Sequence, residues 1–413
     1  MQKPELLSPA GNLEKLKLAI LYGADAVYCG GHNYGLREGA DNFTLEELVE
    51  GTEFAHQHGG RIYITVNMIP HNDDLVGLDE YLHQLEEIGV DALIISDPGI
   101  ISILKQEGIQ LPLHLSTQAN AVNWASVRFW AEQGVERVIL ARELSKDEII
   151  EIRKKTDISL EMFIHGSMCI SYSGRCLLSN YMANRDANRG RCAHSCRWKY
   201  YLVEEKRPGE YYPVFEDEQG TYIMNSRDLC LIEHIPEVVE TGVDSLKIEG
   251  RMKSLHYVAT VTAVYRQAID SYFKDPTSYQ FKPEWLEELK KVSHRDYTTG
   301  FFFSPPGPGE HNYQSSAYRR SYDFMGIVRD YLPDFKEAVV EVRHKFIQGD
   351  RLEIMGPDCE SFTVDLSYII NEEGEEVSEA PHPQELIRIP VDRPVKPYYL
   401  VRRRIDGEGY TKD

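Results

Sequence analysis

Four of the seven cysteines of this chain, Cys169, Cys176, Cys192 and Cys196, fall in the stretch 161–200, separated by six, fifteen and three residues. Thiolates gathered this closely hold something: one another as disulfides, a zinc ion, or an iron-sulfur cluster. Gly166, Ser167, Ser171, Ser173, Gly174, Gly190 and Ser195 surround them, small enough for the backbone to fold tightly around such a group. There is no C-x2-C pair of the zinc-finger kind and no C-x3-C-x2-C triplet. By count, four thiolates suit a tetrahedral zinc or a four-iron cluster equally. A structural zinc staples a domain that lacks a core, whereas this stretch sits against a large one; that context favours iron-sulfur, with zinc as the alternative occupant. Cys29, Cys230 and Cys359 are isolated and read as small buried hydrophobes. Cys230 is the one that the intervening chain could return to the cluster.

No G-x-S-x-G elbow and no H-E-x-x-H zinc helix occurs. His165 and His194 lie close to cysteines, so a cysteine nucleophile with a histidine base stays open, although four cysteines together argue for ligation over attack.

A net charge of -21 repels a polyanion on average, so a nucleic-acid partner would need a local basic face. Residues 184–199 offer one: Arg185, Arg189, Arg191, Arg197 and Lys199 against Asp186, with Trp198 and Tyr200 beside them for stacking. A solvated basic loop is the blander reading of the same residues, as it is for Arg402, Arg403 and Arg404. With 42% hydrophobic and 27% charged residues, the chain reads as globular. No apolar run approaches the ~20 residues of a membrane helix, and the start of the chain lacks a signal-peptide pattern, so a cytoplasmic location is expected. In that reducing setting clustered cysteines mean metal or redox chemistry more often than disulfides.

These residues need a scaffold, and the first two thirds of the chain repeats one unit: a short apolar run, a small or polar junction, an amphipathic helix. Strands are predicted at 5–7, 26–28, 61–66, 92–95, 113–115, 137–140, 159–163 and 245–248, with helices between them, including 229–240, and a last one over 254–272. Eight such units match a closed (β/α)8 TIM-like barrel, α/β in class, with a cysteine-rich insertion after the seventh strand. An open doubly wound sheet is the second choice, weakened by the absence of G-x-G-x-x-G after the first strand. The expected division is a barrel over 1–274 with its insertion at 165–228, a helix and linker over 275–320, and a small antiparallel β-barrel over 321–413. A hairpin is expected within 200–228.

In such a barrel the strand C-termini build the active face. Ser8, Asn67, His71, Ser96, Asp97, His114, Ser116, Gln118, Asn120, Asn123, Arg142, Glu143, His165, Lys247, Glu249 and Arg251 fall there. Taken singly, any of these can be a helix cap, as Ser145 is expected to be. Their concentration at one end makes His165, Lys247 and Glu249 candidates for catalysis. His114, Gln118, Asn120, Arg142 and Arg251, with Arg191, Arg197 and Trp198 of the basic stretch, are candidates for substrate binding. Arg142, Lys247 and Arg251 suit the carboxylates of a small anion, or an internal ring of ion pairs with Glu143 and Glu249.

The run 161–169, EMFIHGSMC, followed by SGRCLLS at 173–179, resembles the signature of the peptidase U32 family. PELLSPAG, GADAVYCGG, SDPG, LSTQANAVN, SLKIEGRMKS and HRDYTTGF are similar to the same family, and the likeness extends into the C-terminal β region. It is nearest to the family's tRNA-hydroxylating members, which resemble proteins of oxygen-independent ubiquinone hydroxylation. The resemblance implies an enzyme forming 5-hydroxyuridine at the tRNA wobble position, with prephenate as oxygen source and a paralogous U32 protein as a partner. It implies a 4Fe-4S cluster on Cys169, Cys176, Cys192 and Cys196, with Cys230 as a substitute for Cys196. The alternative it carries is a collagenase-like peptidase, with zinc in the cysteine site.

Overall fold

The computed structural model describes residues 2–31, 34, 42–168, 178–183, 185, 192–193, 195, 201–202, 212–213, 227–304 and 318–411. Strands β1 (Glu5–Pro9), β2 (Ala26–Cys29), β3 (Arg61–Val66), β4 (Ala92–Ile95), β5 (Leu113–Leu115), β6 (Arg137–Ile139) and β7 (Ser159–Ser167) alternate with helices α1 (Leu13–Leu21), α2 (Leu45–Gln57), α3 (Leu78–Ile88), α4 (Pro98–Glu107), α5 (Trp124–Glu132) and α6 (Lys146–Lys155). After β7 come α7 (Leu178–Ala183), an antiparallel pair β8 (Tyr201–Leu202) and β9 (Tyr212–Pro213), β10 (Asp228–Cys230) and α8 (Ile235–Glu240). Then follow β11 (Ser245–Ile248), α9 (Leu255–Lys274), α10 (Pro283–Leu289) and β12 (Tyr297–Thr298).

Strands β1 to β7 pair in parallel in chain order, and β11 pairs in parallel with both β7 and β1, so eight strands close a barrel. Strands such as β2 and β4 are apolar and buried throughout, as a sheet covered on its outer face by helices requires. Polar residues between strand and helix do the capping anticipated for them. Ser145 with Glu148, and Thr44 with Glu47, form capping boxes, and Asp97 and Asn123 accept from the backbone of Gly99 and Ser126.

Two local readings change. The helix predicted over 229–240 starts later: Asp228–Cys230 form β10, antiparallel to the extended tip of β7 with Cys230 paired to His165, and a 3-10 turn at Ile232–His234 leads into the α-helix at Ile235. Pairing with β10 also carries β7 on to Ser167, four residues past the predicted end.

The C-terminal region contributes β13 (Tyr318–Leu332), β14 (Glu337–Val342), β15 (Phe346–Ile347), β16 (Arg351–Met355), β17 (Ser361–Asp365), β18 (Ile369–Ile370), β19 (Glu376–Val377), β20 (Glu379–Ala380), β21 (Leu386–Pro390) and β22 (Leu400–Thr411). Eight of these form one antiparallel sheet in the order β17-β16-β22-β13-β14-β21-β18-β19, a half-barrel around its own core of Met325, Val340, Leu352, Ile387 and neighbours. A third apolar cluster joins this sheet to the barrel, with Leu18 and Tyr22 of the α1 side and Ala259 of α9 against Ile327, Met355 and Leu400. Tyr22 donates there to the carbonyl of Met355 or Tyr398, at 3.1 and 2.9 Å. Among the described residues, no helix is long and apolar enough to cross a membrane.

Candidate active site

The barrel interior is charged below its mouth. Glu5 of β1, Arg137 of β6, Glu161 of β7 and Lys247 of β11 are all buried. Arg137 reaches Glu5 at 2.5 Å and Glu161 at 3.4 Å, and Lys247 donates to Glu161 at 2.9 Å. Tyr63 of β3 and Ser245 donate to the Glu5 carboxylate at 2.7 and 3.1 Å, and Arg61 pairs with it from the rim. Lys247 thus belongs to a buried ion-pair ring, but one built with Glu161, Arg137 and Glu5 in place of the ring expected with Glu143 and Glu249. Burial pushes the Lys247 ammonium below its ordinary pKa, opposed by Glu161. Its Nζ also lies 4.2 Å from the Tyr28 ring centre and 5.7 Å from that of Phe163. His114 packs edge-on to Tyr63, centroids 4.6 Å apart, and burial, then Arg137, push its pKa down to about 3.

Glu5, Arg137 and Glu161 escaped the sequence reading. The available signal was strand periodicity: charged residues interrupt otherwise apolar barrel strands.

At the mouth, Glu249 follows β11 and is half-buried, and its carboxylate accepts from Tyr28 at 3.2 Å. Arg251 is buried and donates to Thr65 at 2.8 Å and Asn42 at 2.8 Å. A Cβ on Gly30 would lie 2.8 Å from both Arg251 Nη2 and Thr65 Oγ1, so only glycine leaves room for this guanidinium. Arg142 stacks on Phe163, its guanidinium carbon 3.7 Å from the ring centre. A cationic side of the mouth thus carries Arg142 and Arg251, with Lys247 beneath.

The other side is neutral. Asn67 follows β3, Ser96 follows β4, and Ser116, Gln118 and Asn120 follow β5. Asn67 donates to Ser116 Oγ at 3.1 Å, Ser96 to the Asn67 carbonyl at 3.0 Å, and Asn120 to the Gln118 carbonyl at 3.0 Å.

His165 stands apart from both. Its hydrogen-bond and ring partners are Tyr265 and Tyr257 of α9 and Tyr297 of β12, with Nδ1 3.4 Å from the Tyr265 hydroxyl. Burial pushes its pKa down to about 3, so the imidazole is neutral at physiological pH. Its link to the mouth runs through the backbone: its carbonyl accepts from the Glu249 N–H at 2.8 Å.

Of the four clustered cysteines, Cys192 is described, as half-buried; Cys169, Cys176 and Cys196 lie outside the described residues, as do Arg191, Arg197 and Trp198. Cys230 is buried in β10 with its sulfur 3.8 Å from the Tyr265 hydroxyl, and burial pushes its thiol up to about 12. It is one of the residues lining a groove of about 780 Å³ between α10, β12 and the C-terminal sheet. Arg227, Lys290, Lys291, Arg319, Arg320 and Arg404 line this groove against Glu233, Glu287 and Asp296. The arginine run near the C-terminus is thereby divided. Arg402 is fully buried between Glu288 and Glu353, Arg403 pairs with Asp350 at 2.7 Å and Asp323 at 3.3 Å, and only Arg404 lines the groove.

A closed parallel barrel with a polar, two-sided mouth and an antiparallel half-barrel docked on its flank defines the class. The chain belongs to peptidase family U32: the family's model matches residues 11–312, and that of the family's C-terminal domain matches residues 320–402. It is 47% identical over 402 residues to tRNA hydroxylation protein P1 of Bacillus subtilis, covering 97% of this chain and 95% of that one. It is 41% identical to tRNA hydroxylation protein P of Escherichia coli, covering 99% and 98%. A 23S rRNA 5-hydroxycytidine synthase of Escherichia coli is 37% identical over 303 residues, covering 72% of this chain and 45% of that protein.

Proposed function

We propose that this protein hydroxylates RNA, and specifically that it forms 5-hydroxyuridine at the wobble position of tRNA without molecular oxygen. The observation that carries the reading is likeness along nearly the whole chain to two proteins named for tRNA hydroxylation, at 47% and 41% identity. C5 of uracil is not acidic, so its oxidation asks for redox chemistry beyond what acid-base side chains supply. We assign that chemistry to an iron-sulfur cluster held by Cys169, Cys176, Cys192 and Cys196. The donor set fits in number and chemistry: four thiolates from one segment of the sequence, the first of them two residues after β7 ends. Cys230, buried in β10 with its sulfur 3.8 Å from the Tyr265 hydroxyl, is the substitute for Cys196 as the fourth ligand. When bound, such a cluster supplies one-electron redox steps.

The chain's own residues do the rest. The co-substrate is prephenate, a dicarboxylate, and Arg142 and Arg251 receive its carboxylates, with Lys247 adding positive potential from below. Glu249, a half-buried carboxylate beside the Tyr28 hydroxyl, is placed to act as a base for a proton released at the mouth. His165 is a positioning residue, packed among tyrosines and fixing the Glu249 backbone. The RNA backbone lies along the basic groove that Cys230 helps to line, a local positive face on an acidic chain, with the arginines and Trp198 of the insertion as further contacts. A cysteine peptidase would need an activated thiolate, whereas burial pushes the described thiols of Cys29 and Cys230 up to about 12.

The test is mass spectrometry of nucleosides from tRNA of a strain lacking its own hydroxylation proteins, with and without this chain. Appearance of 5-hydroxyuridine supports the proposal; an unchanged nucleoside profile with the protein expressed overturns it.

A further inference from the structure

The neutral side of the mouth contains buried polar atoms that have no hydrogen-bond partner among the described residues. Gln118 is 4% exposed, and neither its Oε1 nor its Nε2 has a hydrogen-bond partner among the described residues. Asn67, which donates to Ser116, and Asn120, which donates to the Gln118 carbonyl, each keep a buried Oδ1 with no partner among the described residues. Each such atom costs on the order of 1–3 kcal/mol when left dry, and native proteins rarely tolerate several together. Asn120 adds a left-handed backbone, φ 53°, and its amide nitrogen donates to the Gln118 carbonyl, so its unpartnered buried atom is the oxygen. Uncommitted amide atoms of this kind suit an occupant that brings its own donors and acceptors.

The chemistry of that occupant follows from the donor and acceptor count. Gln118 offers one acceptor and one donor side by side, while Asn67 and Asn120 add acceptors. A carboxylate presents acceptors alone and would meet amide oxygens with its own. A pyrimidine presents the complement: uracil offers N3–H beside a carbonyl oxygen. A glutamine amide with both ends uncommitted pairs with that edge in two-point fashion. Gripping a pyrimidine by N3 and C4 leaves its C5–C6 edge clear, which a reaction at C5 requires. Ribose hydroxyls are donors suited to the remaining amide oxygens.

We propose that Gln118, flanked by Asn67 and Asn120, receives the Watson–Crick edge of the target pyrimidine and orients it for reaction at C5. This rests on the RNA-hydroxylation reading and names the subsite within it.

The experiment uses the purified full chain and anticodon stem-loop RNAs carrying uridine or 3-methyluridine at the wobble position, the methyl group removing the N3–H donor. Binding is read by fluorescence anisotropy. Wild type is expected to favour the uridine loop by about tenfold, the discrimination of one two-point pair. Gln118→Leu is expected to bring the two loops within about twofold while leaving affinity for the methylated loop unchanged. The variant should also unfold no more easily than wild type, because an apolar isostere replaces an unsatisfied amide. Equal binding of both loops by wild type, persistence of discrimination in Gln118→Leu, or weakened binding of both loops with lowered stability each overturns the subsite. If wild type binds neither loop, the RNA reading itself fails and the subsite falls with it.

Discussion

Removing the Glu161 carboxylate tests the charged barrel interior most sharply. Glu161 is 0% exposed and contacts Lys247 at 2.9 Å and Arg137 at 3.4 Å. Glu161→Gln leaves Arg137 its second partner, Glu5, but strips Lys247 of the carboxylate it hydrogen-bonds. Orphaning a buried charge this way costs roughly 3–5 kcal/mol. The Tyr28 ring, 4.2 Å from Lys247 Nζ, offsets part of the loss. The expected destabilisation is therefore about 3 kcal/mol, read from urea unfolding of the full chain. The double variant Glu161→Gln with Lys247→Met removes both charges and should recover about 2 kcal/mol of it, a coupling typical of residues in direct contact. If the single change costs under about 1 kcal/mol, or the two changes simply add, the ring is not what sets this interior. The double variant separates roles as well: a stable protein that forms no 5-hydroxyuridine would mark Lys247 as serving the substrate rather than the fold.

Acid should destabilise the protein through its buried histidines. His114 and His165 have an ordinary value of 6.5 and are held near 3 in the fold, so below 6.5 the unfolded chain binds protons that the native chain refuses. Stability then falls as pH drops from 6.5 toward 3, by ~1.4 kcal/mol per pH unit for each histidine; urea unfolding at pH 7 and pH 5 should show a shallower slope in His114→Gln. Gly166 has φ +108° and backs onto the Glu249 carbonyl, whereas Gly59, φ +74°, faces open space. Gly166→Ala should cost well over 2 kcal/mol or prevent folding, and Gly59→Ala only about 1 kcal/mol; similar losses by thermal melting would contradict the close approach. Arg319→Ala combined with Arg404→Ala should weaken tRNA binding and flatten its salt dependence by about one to two units of the log–log slope, unless the groove makes no phosphate contact.

The barrel was legible because its strands are short apolar runs punctuated by caps and glycines, each a local signal. Asn12, Thr44, Asp97, Asn123 and Ser145 announce helices from their own side chains. What eluded the sequence depends on partners far along the chain. Asp228–Cys230 is strand only because the tip of β7 lies beside it, and without that neighbour its leucine and cysteine extend the helical pattern that follows. The paired strands β15 and β20 are two residues each, too short for any periodicity. At the mouth, residue type placed Lys247, Glu249, Arg251, Gln118 and Asn120 near strand ends, but not which of them is already engaged. Lys247 is sealed against Glu161, while Gln118, the least conspicuous of the five, is the one with its whole amide unspent. His165 looked catalytic from its neighbourhood of cysteines, yet its ring packs with tyrosines of α9 and β12 that lie about a hundred residues downstream.

The most direct measurement of the central claim is the 5-hydroxyuridine content of tRNA from cells that depend on this protein, comparing wild type with Cys169→Ser combined with Cys176→Ser at matched protein levels. The account predicts that the modified nucleoside disappears with the two thiols. Unchanged 5-hydroxyuridine in the variant would contradict it.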